Sequence, residues 1–180
     1  MNQMVKTWGT ATARLSNHGE WLLPSLARLI FSGVLAGYFW SSAATKLDGG
    51  PFSLSIGAFA QIFPRQFEAV GYDQGQLGLF AHLIALAGAW AEFLFPLLLV
   101  LGLFTRLAAL GMMGFVVVQS LTDVFGHMVG PETLGAWFDH IADAAILDQR
   151  ALWMMLFVTL ICKGAGPLSL DRVLRQWVSG

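Results

Sequence analysis

Residues Leu77–Phe104 read "LGLFAHLIALAGAWAEFLFPLLLVLGLF". Glu92 and His82 are the only ionisable side chains in it. Crossing a bilayer's hydrocarbon core takes about 20 apolar residues in a helix, so the stretch reads as a transmembrane segment. Outward from it, three more blocks have the same character. They lie at about 21–44 ("WLLPSLARLIFSGVLAGYFWSSAA"), 107–129 and 147–164. The last has a short clean centre, "ALWMMLFVTLIC", and must extend through "AAILDQR" to cross. Four spans is the reading; three with a re-entrant fourth is the alternative.

Composition agrees. The 180 residues are 56% hydrophobic and 12% charged, with a mean hydropathy of +0.65, where soluble domains carry roughly 25% charged residues. A net charge of -1 gives no sign of nucleic-acid binding. Cys162 is the only cysteine, so an internal disulfide and a CxxC relay are both excluded. Polar residues through the first twenty positions argue against a signal peptide. With no internal repeat or second domain visible, residues 1–180 read as a single all-α integral membrane four-helix bundle.

Orientation follows from the cations. Lys6, Arg14, Arg106, Lys163, Arg172 and Arg175 fall at the N-terminus, the short second loop and the C-terminus, against Lys46, Arg65 and Arg150 in the other loops. The positive-inside rule then places both termini in the cytoplasm. The outer loops contain "FSLSIGAFAQIF" and "LGAWFDHIADAAIL", which read as short interfacial helices. At the other end, "KGAGPLSLDR" (Lys163–Arg172) follows the fourth span. Its glycines come after a helix rather than before one, which excludes a phosphate-cradling loop. Gly164 or Gly166 suits a left-handed helix end, Pro167 blocks continuation and Ser169 suits an N-cap. Residues 169–178 are expected to form an amphipathic helix on the membrane surface, with "KGAGPLSLDR" as its hinge.

Small residues point to helix packing: a G-x-x-x-G at Gly33 and Gly37, and an Ala81, Ala85, Ala89 stripe. Ionisable residues in the spans carry more, because each is costly in hydrocarbon unless turned inward, paired or functional. Arg28 and Lys46 sit five turns apart, roughly 27 Å, and are expected to snorkel to opposite surfaces. Glu92 is too deep to snorkel, and Pro96 four residues on frees its backbone carbonyl. It is either a protonated carboxyl hydrogen-bonded across the bundle, or a functional group: a proton carrier or the floor of a polar cavity.

Gln119, Asp123 and His127 share one helix face within about 80°, so Asp123 and His127 can pair. His82 lies at a similar depth, and Lys46, Asp139, His140, Asp143, Asp148 and Arg150 join them from the outer edges. Polar groups thus gather in the outer half. His82 and His127 could hold a haem, but no metal-ligand spacing such as HExxH is present. Nor is there a nucleophile elbow for a Ser-His-Asp site.

Three motifs in order resemble the DoxX family: "ARLIFSGVLAGYFWSSAATKL", "AEFLFPLLLVLGLFTRLAAL" and "KGAGPLSLD". The resemblance covers about residues 26–173; the outer loops depart from it, being long and Phe/Trp-rich. It implies a small four-helix, multi-pass protein of the bacterial inner membrane. Relatives are linked to membrane redox systems, including the quinone-reducing small subunit of thiosulfate:quinone oxidoreductase. Arg28, Lys46, Glu92, Arg106 and Asp171 carry over as motif members only, since the family supplies no agreed catalytic residues.

Two functions follow as expectations. In the first, the chain is a quinone-linked redox subunit: His82, Lys46 and Trp90 line a quinone pocket, Glu92, Asp123 and His127 handle protons, and a membrane or periplasmic redox partner supplies electrons. In the second, it is a non-enzymatic membrane adaptor or assembly factor for a partner enzyme. A solute carrier is disfavoured by the small size and missing inverted repeat.

Overall fold

The computed structural model describes residues 2–180, and among these the chain is all-α with no strand. Helices α1 (Asn2–Ile30) and α2 (Ala36–Thr45) join through a π turn at Phe31–Leu35. The outer-loop helices α3 (Ile56–Ile62) and α4 (Pro64–Ala69) precede α5 (Leu79–Leu101). After α6 (Thr105–Leu121) come a π turn at Thr122–Gly126 and α7 (Pro131–Leu134). A further π turn, Ala145–Gln149, opens α8 (Arg150–Lys163), and α9 (Leu170–Ser179) closes the chain.

Among the described residues, four continuous helices are long and apolar enough to cross a membrane: Gln3–Thr45, Leu79–Leu101, Thr105–Gly126 and Ala145–Lys163. The last has 19 residues, about 28 Å of helix against a hydrocarbon core of about 30 Å. It gains its length through "AAILDQR", as its sequence requires. The first extends well beyond its apolar block, because the polar residues from Asn2 onward are helical too. There Thr7, Thr10 and Thr12 return their hydroxyls to carbonyls one turn back.

An aromatic core holds the spans together. Phe31 lies 5.9 Å edge-on to Phe157 and 6.4 Å from Phe39, with Leu99, Met112, Val116 and Leu160 buried around them. A second cluster, Phe59, Phe67, Leu77 and Ala85, seats α3 and α4 on the start of α5. Ala85 and Ala89 are fully buried, as a small packing stripe requires. Gly33 and Gly37 are not: both are exposed, and a Cβ on either would meet nothing within 4 Å. Ala36 and Ala43 pack inward in their place. The outer segment "LGAWFDHIADAAIL" also departs from expectation, being largely turns before the π turn at Ala145. Asp139 within it and Asp148 just after it spend their carboxylates capping the local amides of Ile141 and Ala144.

The end bearing both chain termini is bolted by motif residues. Arg28 does not snorkel. Its guanidinium donates to the carbonyls of Leu99 (3.0 Å), Val100 (2.7 Å), Ala165 (2.9 Å) and Leu168. Two of these acceptors lie in the last turn of α5, where carbonyls run short of intrahelical donors and Leu99 has the Gly102 amide besides; the other two belong to the "KGAGPLSLDR" corner. Asp171 accepts from the amides of Phe104 (2.7 Å) and Thr105 (3.0 Å), capping α6 from outside. That cap holds Phe104 in the left-handed region (φ 47°), uncommon for a bulky residue. Gly102 (φ 67°) lies beneath the clasp, where a Cβ would come within 2.7 Å of both Arg28 and Ser169. Ser169 caps α9 as anticipated, accepting from the Arg172 amide at 3.3 Å. The corner is therefore a fixed joint rather than a free hinge.

Candidate functional site

At the opposite end, α2, α3, α5 and α6 enclose a cavity of about 430 Å³. Most of its wall is apolar or bare: Ile62, Ile84, Phe95, Phe115 and Val118, with Gly88, Gly111 and Gly114 contributing backbone only. Into this wall project Ser42, Lys46, Gln61, Glu92, Gln119, Thr122, Asp123 and His127. Of the residues expected to form a site, Lys46, Glu92, Asp123 and His127 are therefore brought together.

Lys46 and Glu92 form the deepest pair. Lys46 ends α2, yet its side chain turns back into the bundle instead of out to the surface. Its Nζ donates to Glu92 Oε2 at 2.8 Å, with the two residues only 4% and 2% exposed. The snorkelling expectation for Lys46 is therefore overturned: a carboxylate within reach in low dielectric outweighs a surface a few ångströms further on. Ser42, one turn before Lys46, closes the group. Lys46 Nζ donates to Ser42 Oγ at 2.8 Å, and that hydroxyl donates to Glu92 Oε1 at 3.2 Å. The third Lys46 hydrogen reaches only the Ser42 carbonyl, at 3.4 Å. The Ser-x-x-x-Lys spacing was a readable signal for this triangle, since residues four apart share a helix face.

Asp123 does not pair with His127. Its carboxylate accepts from Arg150 Nη2 at 2.6 Å, and Arg150 Nη1 donates to Ser120 Oγ at 2.9 Å. A buried guanidinium entering from α8 carries a full charge, which an imidazole one turn along the same helix need not. His127 instead donates from Nε2 to the Gln61 carbonyl at 3.0 Å, tying α3 across the cavity mouth while the ring stays exposed. Gln119 donates to the Tyr38 hydroxyl at 3.0 Å, and its Oε1 is buried with no partner.

His82 and Trp90 do not line the cavity. The His82 ring stands edge-on to Phe59 at 4.7 Å, within the cluster that seats α3 and α4. Trp90 Nε1 donates to the Pro51 carbonyl at 3.0 Å, and its ring packs against Phe52 and Phe93. Both hold the outer loop onto α5. Among the described residues no three metal-ligating side chains converge.

The family motifs thus serve two ends of the molecule. Lys46 and Glu92 are in the cavity, while Arg28 and Asp171 form the joint at the other end. Arg106 donates to the Cys162 carbonyl at 3.3 Å near that joint. The chain is a multi-pass membrane protein by its four apolar helices. No curated protein and no solved structure matches it. The family model DoxX matches residues 24–128, a stretch that holds both motifs around the Lys46–Glu92 pair, and the chain belongs to the DoxX family.

Proposed function

We propose that the chain is a quinone-linked subunit of a redox system in a bacterial inner membrane, with both termini cytoplasmic and the cavity toward the outer face. The observation that carries this reading is the cavity itself: a buried Lys46–Glu92 pair set in a largely apolar wall. Its volume of about 430 Å³ lies in the range of small-molecule sites, which are mostly apolar with a few placed polar groups. A quinone ring fits that donor set, since its two oxygens need hydrogen-bond donors and its plane needs apolar walls. The family domain extends past its matched stretch on this reading, because Arg28 and the cap by Asp171 bind the C-terminal segment to it.

Reduction of the ring takes two electrons, delivered by a membrane or periplasmic reductase partner, and two protons. Lys46 can turn its weakly held hydrogen from the Ser42 carbonyl to a ring oxygen and stabilise charge developing there. Glu92, bound through Oε2 to Lys46 and through Oε1 to Ser42, is placed to hold and pass a proton. His127, exposed at the mouth, is placed to exchange protons with water. Asp123, locked to Arg150, keeps the second carboxylate charge-balanced beside the cavity.

Solvent extraction and mass spectrometry of protein purified in mild detergent test the reading. Wild type is expected to retain a quinone, and Glu92→Gln to lose at least about tenfold of it. A wild-type protein without quinone contradicts the proposal. The adaptor reading draws support from the outer loop, where Trp137 and Phe138 are exposed, Phe138 at φ 68°. A stoichiometric partner captured by quinone-free protein would favour it.

A further inference from the structure

The cavity is open on one side, where α5 and α6 pass each other. The helices leave the tight Gly102–Phe104 corner in contact. At Gly111 a Cβ would come within 2.6 Å of the Phe95 ring, so nothing larger than hydrogen fits between them. Further from the corner, Gly114 offers no side chain to fill the space, and a Cβ there would meet nothing within 4 Å. Gly114 and Ala87 are exposed, as are Ile84 and Val118, and all four line the cavity. They also lie inside helices long and apolar enough to cross a membrane. Hydrocarbon therefore lies beyond the gap. At the inner end is the Lys46–Glu92 pair.

We propose that this gap is a lateral entry and tail channel. The cavity takes a membrane-dissolved amphiphile whose oxygen-bearing head lies against Lys46, and whose apolar chain runs out between α5 and α6 into the bilayer. The inference rests on the cavity being the quinone site and adds a requirement on the ligand's chain. A chain leaving by this route exchanges one apolar contact for another, since lipid tails are as apolar as the helix walls. A route through water would be penalised for every methylene exposed. Gly114 is the position that admits the chain: a larger side chain there closes the path and leaves the polar end intact.

The test uses the full chain in lipid nanodiscs and two probes, a decyl-tailed benzoquinone and the same ring with methyl replacing the decyl chain. Gly114→Leu is suited to it because the open space accepts the new side chain without a clash. The variant is expected to weaken the tailed probe by at least about tenfold and the methyl-capped ring by less than about twofold. Equal weakening of both, or of neither, overturns the channel and leaves the quinone reading standing. Binding of neither probe by wild type overturns the quinone reading. In that case a nitroxide on Gly114→Cys, in a Cys162→Ser background, decides the channel alone. Collisions with oxygen but not with a water-soluble nickel chelate support a gap open to lipid, and the reverse pattern overturns it.

Discussion

Lys46→Met and Glu92→Leu are each expected to destabilise the protein by about 3–5 kcal/mol, because each leaves a buried charge without its partner. The double variant is expected to recover most of that loss. Its two apolar side chains have nothing to desolvate, and replacing a buried pair by apolar residues is often neutral or stabilising. Both residues are almost wholly buried, and Ser42 satisfies much of the remaining hydrogen-bonding capacity, so the coupling is strong in both directions. Denaturant unfolding of the four proteins in detergent gives the double-mutant cycle. Additive losses would show that the two charges act independently. A fully stable double variant that has lost its ligand would identify the pair as retained for function at a cost in stability.

Arg28→Ala has the second large effect. Four carbonyls lose the guanidinium together, Leu99 and Val100 at the end of α5 and Ala165 and Leu168 in the corner before α9, and of these Leu99 keeps the Gly102 amide. An orphaned buried acceptor costs about 1–3 kcal/mol. Relaxation makes the sum less than additive, and at least about 3 kcal/mol is expected overall. Arg28→Lys is expected to recover little, because a single ammonium cannot reproduce a planar fork that spans two segments. Limited proteolysis gives a local readout: cutting between residues 164 and 170 is expected to accelerate, while cavity binding persists in molecules that remain folded. An unfolding midpoint and cleavage rate equal to wild type would contradict the clasp.

Much of the fold was legible because hydrocarbon imposes strict rules. Leu77–Phe104 could hardly be anything but a span, and "AAILDQR" completed the fourth helix because no shorter one would cross. The corner at Gly164–Ser169 was readable as a helix end followed by a capped helix, since positive φ and N-cap chemistry are local properties. What sequence missed was the partner from elsewhere in the chain. A cation near the end of a span snorkels by default, and only the fold brings the Leu99 and Leu168 carbonyls to Arg28. The Asp123–His127 spacing was geometrically sound, but Arg150 from α8 competes for the same carboxylate and wins. Gly33 and Gly37 have the spacing of a packing motif, yet they lie on the exposed side of the helix.

The candidate site was half legible for a similar reason. Lys46, Glu92, Asp123 and His127 were recognisable as ionisable groups in costly places, and the cavity gathers all four. His82 and Trp90 were chosen by depth along α5, and depth says nothing about direction around a helix. Both project toward the outer loop. Ser42 and Gln119 belong to the cavity as firmly as the charged residues do, but uncharged side chains in a span raise no alarm.

Infrared difference spectroscopy during reduction of the bound quinone tests the central claim most directly. Should Glu92 hold and pass a proton at the Lys46 pair, a band in the protonated-carboxyl stretching region will appear or vanish on reduction. That band will shift in deuterium oxide and be absent from Glu92→Gln. A wild-type spectrum with no carboxyl change, or one that Glu92→Gln leaves unaltered, would contradict the account.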